Sequence, residues 1–379
     1  MAYPTRIQPQ SAELESDWRE AQHYFKAREH VIFLSYCRFW EKHGFVQQSL
    51  ARELVRLGVQ VTWLDGEGWR PYRPTLHSNS PLLRVEQLFR FPGERFQWTR
   101  GLSHLSQKKK IGRLLKKFPS SVIWAQAGIN DALAGSLPYV DVYSTFDDPY
   151  RHAPDGVLCN KAKVIVCQNS ITLRRMRNVH REKSILCLPP VDMSEVQESI
   201  ISPLELPATF PKKIMGYIGS FFSHDYDLVL FEKMVNTFPQ YGFILAGRTD
   251  PAGLRVIKEL ERLSQFRHFA WVPRSQVSSL WRKLNLTLLL YRPFRAQEGA
   301  FPVKVLESLY FNVPCISTAV AKTEDLRGIF PQSSLPSELI LLAEKMILSP
   351  PNLESAYRDL SIRMSPYFHL SEVAKRLRS

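Results

Sequence analysis

Residues 30–66 read HVIFLSYCRFWEKHGFVQQSLARELVRLGVQVTWLDG. The first eleven are rich in β-branched and aromatic side chains, which predicts a buried strand. A short turn leads into 46–58, where apolar residues recur at helical spacing and Gly58 follows the last turn. Residues 59–66 are apolar again and predict a second strand. Strand, helix and strand in this order form a βαβ unit, which predicts a parallel sheet.

The same alternation continues on both sides of a stretch that contains prolines and acids, 191–213. Before it, the strand pattern recurs in SSVIWAQAG, VDVYSTFDD, KVIVCQNS and SILCLPPVD. After it, a second series of strands and helices begins with KIMGYIGS. The predicted fold class is α/β, with two facing, doubly wound Rossmann-like domains at 1–190 and 214–365 and a linker at 191–213. Ligands are expected at the carboxyl ends of the strands, in the cleft between the domains.

The composition is that of a soluble globular protein, since 44% of the 379 residues are hydrophobic and 23% are charged. No apolar run approaches the roughly 20 residues that span a bilayer, and the N-terminus lacks the apolar core of a secretory signal. The five cysteines are widely spaced without a CxxC pair, which argues against a disulfide framework or a zinc site. We expect reduced, mostly buried thiols in a cytoplasmic protein.

The net charge of +14 is unevenly distributed, because residues 1–190 hold 28 Lys and Arg against 17 Asp and Glu. Such a surface attracts nucleic acid, anionic lipid or phosphorylated substrates. The segment LSQKKKIGRLLKKF, 105–118, places Ile111, Leu114, Leu115 and Phe118 at helical spacing. It is either an ordinary helix with a solvated lysine face, a contact with an anionic membrane surface, or a nucleic-acid contact. No recognised nucleic-acid-binding motif lies beside it, so nucleic acid is not an expected partner.

Two glycines mark the first strand of the second series, MGYIGS, where Gly219 follows the strand and precedes a predicted helix. Glycine at such a position lets a ligand approach the backbone, and a helix N-terminus offers N–H groups to a phosphate. A purely structural turn explains the glycines equally. Neither GxGxxG nor GxxxxGK[ST] is present, which argues against dinucleotide and P-loop sites.

The stretch EGAFPVKVLESLYFNVPCIST, 298–318, contains Pro302 and Lys304 at the start of a predicted helix. A cation in the first helical turn opposes the helix dipole unless an anion neutralises it, which indicates an acidic ligand. Glu307 shares the face of Lys304, so its carboxylate can accept ribose hydroxyls while Lys304 holds a diphosphate. The alternative is a surface ion pair of little energetic value.

This stretch, with LTLLLYRPFRAQ before it, resembles the donor-binding segment of GT-B glycosyltransferases near family 4. MGYIGSFFSHDYDLVLFEKM and FAWVPRSQVSSLWRKLN are similar to other donor-domain segments of the same group. The resemblance covers nearly the whole chain. It implies transfer of a sugar from a nucleotide-sugar donor, with UDP-sugar favoured, held by the second domain. It also implies that the acceptor binds the first domain and that a C-terminal helix, 366–379, packs back on that domain.

The resemblance further implies roles for single residues. Glu307 is expected to bind the ribose, and Lys304 the diphosphate. The remaining donor contacts that it implies are Gly219, Ser220 and Arg248 at the diphosphate, and Val272 and Pro273 at the base. The acid pair of the family has seven intervening residues but Glu298 and Glu307 have eight, so only Glu307 is carried over. These enzymes usually work without a metal, so neither metal nor cofactor is expected.

The first domain contributes the candidate catalytic residues in STFDDPYRH, 144–152. Asp148 or Asp147 is the expected base if the enzyme inverts configuration, and His152 positions the donor sugar if it retains configuration. An Asx turn before Pro149 is the structural alternative. His43 and Gly44 are expected on the acceptor side, although His43 can equally be an ordinary loop residue.

Together these features predict a glycosyltransferase of cell-surface polysaccharide or glycoconjugate synthesis. Its expected acceptor is a glycan, a lipid-linked sugar or a polymer, met at the inner face of the plasma membrane. A sugar-nucleotide 2-epimerase is a competing hypothesis, although the second domain has few acids. A non-catalytic GT-B-like protein, or a basic nucleic-acid binder, is the other.

Overall fold

The computed structural model describes residues 12–35, 46–68, 80–89, 97–127, 131–145, 153–191, 205–293 and 300–379. The chain divides into two compact units. We call Gln8–Val191 with Arg363–Ser379 the N-terminal unit, and Asp192–Ile362 the C-terminal unit. Most of the predicted linker, 191–213, lies outside the described residues.

The N-terminal unit is built on a seven-stranded sheet in the order β3-β2-β1-β4-β5-β6-β7, and every pair of neighbouring strands is parallel. Its strands are β1 His30–Leu34, β2 Gln60–Gly68, β3 Leu83–Phe89, β4 Val122–Gln126, β5 Val140–Ser144, β6 Ala162–Cys167 and β7 Ser184–Leu186. The strand order reverses between β1 and β4, which is the switch point of a doubly wound fold. The predicted parallel sheet is confirmed.

Helices cover both faces of this sheet. They are α1 Ala12–Arg28, α2 Val46–Arg56, α3 Gln97–Lys117, α4 Asp131–Ser136, α5 Ala153–Lys161 and α6 Ser170–His180. Successive strand residues point to opposite faces, so β1 places Phe33 in one apolar core and Ile32 in the other. The first core includes Phe33 stacked between Trp63 and Trp124, with ring centroids 5.3 Å from each. Gly58 has φ +83°, as predicted for a glycine that ends α2.

Two elements of this unit were not predicted. The polar N-terminal stretch forms α1, which buries Ala21 and Phe25 among otherwise polar residues. The stretch 67–118 contains the strand β3, whose Leu83 and Val85 are buried while Arg84 is exposed. Because β3 pairs only with β2 at the sheet edge, its alternating charged residues are compatible with a strand.

The C-terminal unit repeats the topology with a six-stranded parallel sheet in the order β10-β9-β8-β11-β12-β13. Its strands are β8 Ile214–Ile218, β9 Gly242–Ala246, β10 Phe266–Phe269, β11 Leu286–Leu289, β12 Cys315–Thr318 and β13 Gln332–Ser333. Its helices are α7 Leu228–Thr237, α8 Pro251–Leu260, α9 Arg274–Trp281, α10 Lys304–Tyr310, α11 Pro336–Leu348 and α12 Glu354–Arg363. Both units therefore have the Rossmann strand order, and the predicted α/β fold class is confirmed.

The last helix, α13 Pro366–Arg378, belongs to the N-terminal unit. Ser365 caps it by accepting a hydrogen bond from the Phe368 N–H at 3.2 Å. Leu370 and Val373 enter the core that holds Phe33, and α13 also packs on α1.

The four described cysteines, Cys159, Cys167, Cys187 and Cys315, are buried free thiols. Within the described ranges, none of the helices combines the length and the apolar composition needed to cross a bilayer.

Candidate functional site

The carboxyl ends of β8, β9 and β10 are joined by backbone hydrogen bonds that continue beyond the strands. The N–H of Gly219 donates to the carbonyl of Ala246 at 2.8 Å, and the N–H of Gly247 donates to Phe269 at the same distance. The loop after β8 is thereby held against the loop after β9. Of these strands, β8 borders the switch point between β8 and β11, where doubly wound sheets bind ligands.

Two glycines permit this close approach. A Cβ atom on Gly247 would lie 2.1 Å from the carbonyl oxygen of Gly219, and the φ of Gly247 is +138°. Gly219 has φ +152°, and a Cβ there would lie 2.8 Å from the Tyr217 hydroxyl. The structure thus provides a packing reason for both glycines, independent of any ligand. Sequence analysis singled out Gly219 but not Gly247, although the LAGR stretch contains it.

The other predicted donor contacts lie at the same edge. Ser220 directly follows Gly219, and Arg248 directly follows Gly247, and both side chains are exposed. Val272 and Pro273 follow β10, where Pro273 precedes α9. The parallel sheet therefore brings together residues that are up to 53 positions apart in the chain.

Asp250 fixes this edge from the N-terminus of α8. Its carboxylate accepts hydrogen bonds from the Gly253 N–H at 2.7 Å and from the Ser223 hydroxyl at 2.6 Å. Burial alone raises the pKa of Asp250, but the hydrogen bonds from Ser223 and Gly253 outweigh burial and lower it below its usual value. The ionised carboxylate therefore ties the loop after β8 to the start of α8.

Lys304 and Glu307 form an ion pair on α10. The Lys304 Nζ lies 2.9 Å from Oε1 and 3.0 Å from Oε2 of Glu307. Glu307 is only 5% exposed, so this is not the surface pair that sequence analysis left as an alternative. Removing one partner of a largely buried pair leaves an uncompensated charge, which makes the pair energetically coupled.

Trp281 holds the same carboxylate from the end of α9. Its indole Nε1–H donates to Glu307 Oε2 at 3.0 Å, and its side chain is fully buried. Sequence analysis missed this residue. The only signal was a tryptophan in a short amphipathic helix, a feature equally typical of core packing.

The ion pair also changes the interpretation of Lys304. A cation in the first turn of a helix is unfavourable against the helix dipole unless an anion lies near it. Glu307 is that anion, and it comes from the same helix. The position of Lys304 therefore does not by itself indicate a bound ligand.

A buried tyrosine cluster lies beneath the ends of β8 and β11. The hydroxyls of Tyr217 and Tyr291 are 3.3 Å apart, and burial raises the pKa of Tyr217 to about 12. The Lys322 Nζ lies 4.1 Å from the centre of the Tyr291 ring and 3.0 Å from Asp225 Oδ2. These contacts give the candidate site a rigid base that sequence analysis did not predict.

The corresponding edge of the N-terminal unit is also lined by buried polar residues. Ser35 at the end of β1 donates to Gln126 Oε1 at the end of β4 at 2.8 Å. The Gln126 and Gln168 amide nitrogens and the Thr145 hydroxyl are buried without a hydrogen-bond partner in the described part of the chain. Buried polar atoms of this kind are normally satisfied by water or a ligand.

The remaining predicted residues lie outside the described ranges. They are Asp147, Asp148 and His152 as catalytic candidates, His43 and Gly44 on the acceptor side, and Glu298. Among the described residues, no three His, Cys, Asp or Glu side chains are grouped so that they could hold a metal ion.

No protein-family model matches the sequence, and no curated protein matches it either. Solved structures do match. The N-terminal domain of a trehalose-6-phosphate phosphatase from Candida albicans has a TM-score of 0.67 and 11% identity, covering 92% of this chain and 96% of that one. An E. coli trehalose-6-phosphate protein bound with UDP-2-fluoro glucose has a TM-score of 0.63 and 10% identity, covering 92% and 99%.

Anabaena HepE in complex with UDP and glucose has a TM-score of 0.61 and 14% identity, covering 92% of this chain and 97% of that one. At these identities the similarity establishes the fold alone. This structural similarity agrees with the strand order of both sheets. It also agrees with the sequence resemblance of residues 298–318 to the donor-binding segment of GT-B enzymes. The chain therefore has the fold of the GT-B glycosyltransferases, with two Rossmann-like domains.

Proposed function

We propose that this protein is a glycosyltransferase that moves a sugar from a UDP-sugar to a glycan, lipid-linked or polymer acceptor. The observation that carries the proposal is the edge of the C-terminal sheet. There Gly219 and the Lys304–Glu307 pair follow β8 and β11, the two strands at the switch point, and Arg248 follows the neighbouring β9. The similar structures with UDP-2-fluoro glucose and with UDP and glucose support the donor class.

The donor is proposed to bind through its diphosphate at Gly219 and Ser220. The Gly219 N–H already donates to Ala246, so Gly219 serves by letting the ligand approach the backbone. The Ser220 N–H and the exposed Arg248 guanidinium are suited to a charged group that approaches this edge. As the bond to the sugar breaks, negative charge grows on the leaving diphosphate, and Arg248 and Lys304 would stabilise it electrostatically. No metal is required in this proposal, and adding magnesium tests that point directly.

Glu307 is proposed to accept the ribose hydroxyls. Lys304 and Trp281 hold the carboxylate in one orientation, so the nucleoside meets a preorganised acceptor. Trp281 is then a positioning residue that acts through Glu307. The base is proposed to contact the backbone at Val272 and Pro273.

The acceptor is proposed to meet the N-terminal unit. The polar residues at the ends of β1, β4 and β5, including Gln126 and Thr145, are suited to the hydroxyl groups of a sugar. Asp148, or Asp147, remains the proposed base for an inverting reaction, and His152 the proposed donor contact for a retaining one. Cell-surface polysaccharide or glycoconjugate synthesis remains the proposed setting.

A nucleotide-binding experiment tests the donor site. UDP, GDP, ADP and CMP are compared by calorimetry and thermal shift, with and without magnesium, on wild type, Glu307→Gln and Trp281→Phe. We expect UDP to bind selectively and without magnesium, because a ligand that binds only the native state raises its stability. Glu307→Gln should weaken UDP at least about tenfold, which corresponds to one charge-assisted hydrogen bond.

Glu344→Gln on α11 is the matched control, since this partly exposed carboxylate is not among the proposed donor contacts. It should bind UDP as wild type does. If folded wild-type protein binds none of the four nucleotides, the transferase proposal fails and a non-catalytic GT-B-like protein becomes the better explanation.

A further inference from the structure

The outward face of α3 carries three exposed apolar residues. Trp98 is 69% exposed, Leu105 is 63% exposed and Leu102 is 41% exposed. Their spacing of four and three residues places them on one side of the helix. Exposed apolar side chains at such spacing form a patch, which distinguishes them from single surface residues.

This face differs from the one that the sequence suggested for a membrane contact. Ile111 and Leu114, in the predicted segment 105–118, are only 3% and 7% exposed and belong to the core around Ile32 and Ile123. They hold α3 against the sheet and are not available to a membrane. The residues that remain available lie about two to four turns nearer the N-terminus of α3.

The same helix is cationic along its whole length. It contains seven Lys and Arg residues and no Asp or Glu. Lys110 turns toward the protein, where its Nζ lies 2.8 Å from Glu86. Four further cations are exposed and form no ion pair with an acid in the described part of the chain: Lys108, Lys109, Arg113 and Lys116.

Helical spacing aligns two of these cations with the apolar patch. Lys109 and Lys116 follow Trp98 by 11 and 18 residues, which is close to three and five whole turns. The outward face of α3 therefore has an apolar patch near its N-terminus and a cationic patch nearer its C-terminus. A helix of 21 residues with seven charges lies along an interface and does not span it.

We propose that this face, Trp98, Leu102 and Leu105 with Lys108, Lys109, Arg113 and Lys116, docks the protein on an anionic lipid surface. Tryptophan and leucine enter the boundary between headgroups and acyl chains, while the cations contact the anionic headgroups. Nucleic acid would match the cations but would leave the apolar patch in water, so the lipid surface satisfies both halves of the face. This proposal does not depend on the transferase activity.

Vesicle flotation of the full-length chain tests the proposal. The vesicles are phosphatidylcholine alone, or phosphatidylcholine with about 30% phosphatidylglycerol, in about 0.1 M NaCl, where charges are screened beyond about 10 Å. We expect binding only with phosphatidylglycerol. Reversing Lys109 and Lys116 to Glu should weaken it on the order of 10- to 100-fold, since each surface cation contributes about fivefold. Trp98→Ser with Leu105→Ser should weaken it about tenfold.

Matched controls come from the C-terminal unit. Arg255→Glu with Lys258→Glu makes the same change of charge at exposed positions, and Leu254→Ser with Leu341→Ser removes exposed leucines. Both control proteins should bind as wild type does. All the substituted side chains are exposed, so melting temperatures should stay close to that of wild type.

Three outcomes would overturn the proposal. In the first, the protein binds equally to vesicles with and without phosphatidylglycerol. In the second, the α3 variants bind no more weakly than the control variants. In the third, the protein does not bind vesicles at all. If a DNA duplex binds and its binding is lost only in the Lys109/Lys116 variant, while vesicles do not bind, the face is a nucleic-acid surface instead.

Discussion

The two units share one strand order but differ in how their charged side chains are paired. In the C-terminal unit, Lys304 is paired with Glu307, Lys322 with Asp225 and Arg292 with Asp227, whereas Arg248 is exposed. In the N-terminal unit, Lys108, Lys109, Arg113 and Lys116 of α3 are exposed and form no ion pair within the described ranges. Topology therefore fixes where the strand ends meet, whereas side-chain pairing determines whether a charge stiffens the protein or stays available to a partner.

The largest expected effect concerns Gly247 in the C-terminal unit. Gly247→Ala places a Cβ where the Gly219 carbonyl oxygen now lies, at a φ that side chains disfavour. Steric overlap and backbone strain should together cost about 3–5 kcal/mol. Urea denaturation of the purified variant measures the loss. A cost below about 1 kcal/mol would mean that the strand-end loops are not held as closely as the structure shows.

Acid should weaken the N-terminal unit specifically, because it contains two buried histidines. Burial lowers the pKa of His369 to about 3, and burial with the nearby Lys117 lowers the pKa of His30 to about 4. The Ser121 hydroxyl donates to Phe118, so His30 Nδ1–H must donate to Ser121, and Nε2 accepts from Thr62 at 2.9 Å. The neutral ring makes both contacts, and burial favours it over the charged ring.

The pKa of His30 in the folded protein lies below its value near 6.5 in the unfolded chain, so acid lowers the stability. As pH falls from 6.5 toward 4, His30 becomes protonated in the unfolded chain but stays neutral in the native protein. Its contribution to stability is therefore lost over that pH range and is fully present above pH 6.5. At pH 5 the loss should be about 2 kcal/mol for each histidine. Chemical denaturation of wild type and His30→Gln between pH 7.5 and 5 measures it. A dependence as steep in His30→Gln as in wild type would contradict this assignment.

The smallest effect should be a gain in stability on α3. A Cβ on Gly112 meets no atom within 4 Å, and the residue lies inside the helix. Gly112→Ala should therefore stabilise the protein by about 0.5–1 kcal/mol, since alanine favours the helix. Thermal denaturation compares it with Gly247→Ala. Destabilisation by Gly112→Ala would show that the outward face of α3 is packed against something, contrary to the exposure of its neighbours.

Within this comparison, the sequence predicted most of what depends on local periodicity. The βαβ units, the glycine after α2 and the strands that lead to Gly219 and Lys304 were all predicted from their own residues. The polar helix α1 and the edge strand β3 were not predicted. The apolar residues of α1 are sparse, and in β3 the alternation that begins at Leu83 is interrupted at Gln87 and Leu88. In both cases burial depends on a neighbour distant in the chain.

By itself, the sequence determined the fold class, the parallel sheets and the sheet edge where the proposed donor contacts lie. Alternating strand and helix periods dictate that arrangement locally. Only the tertiary structure decided that Trp281 holds Glu307, that Gly247 must let Gly219 approach, and that Ile111 faces inward while Trp98 faces out. Each of these depends on distances between residues far apart in the chain or on which side of a helix meets the sheet, and a one-dimensional pattern carries neither.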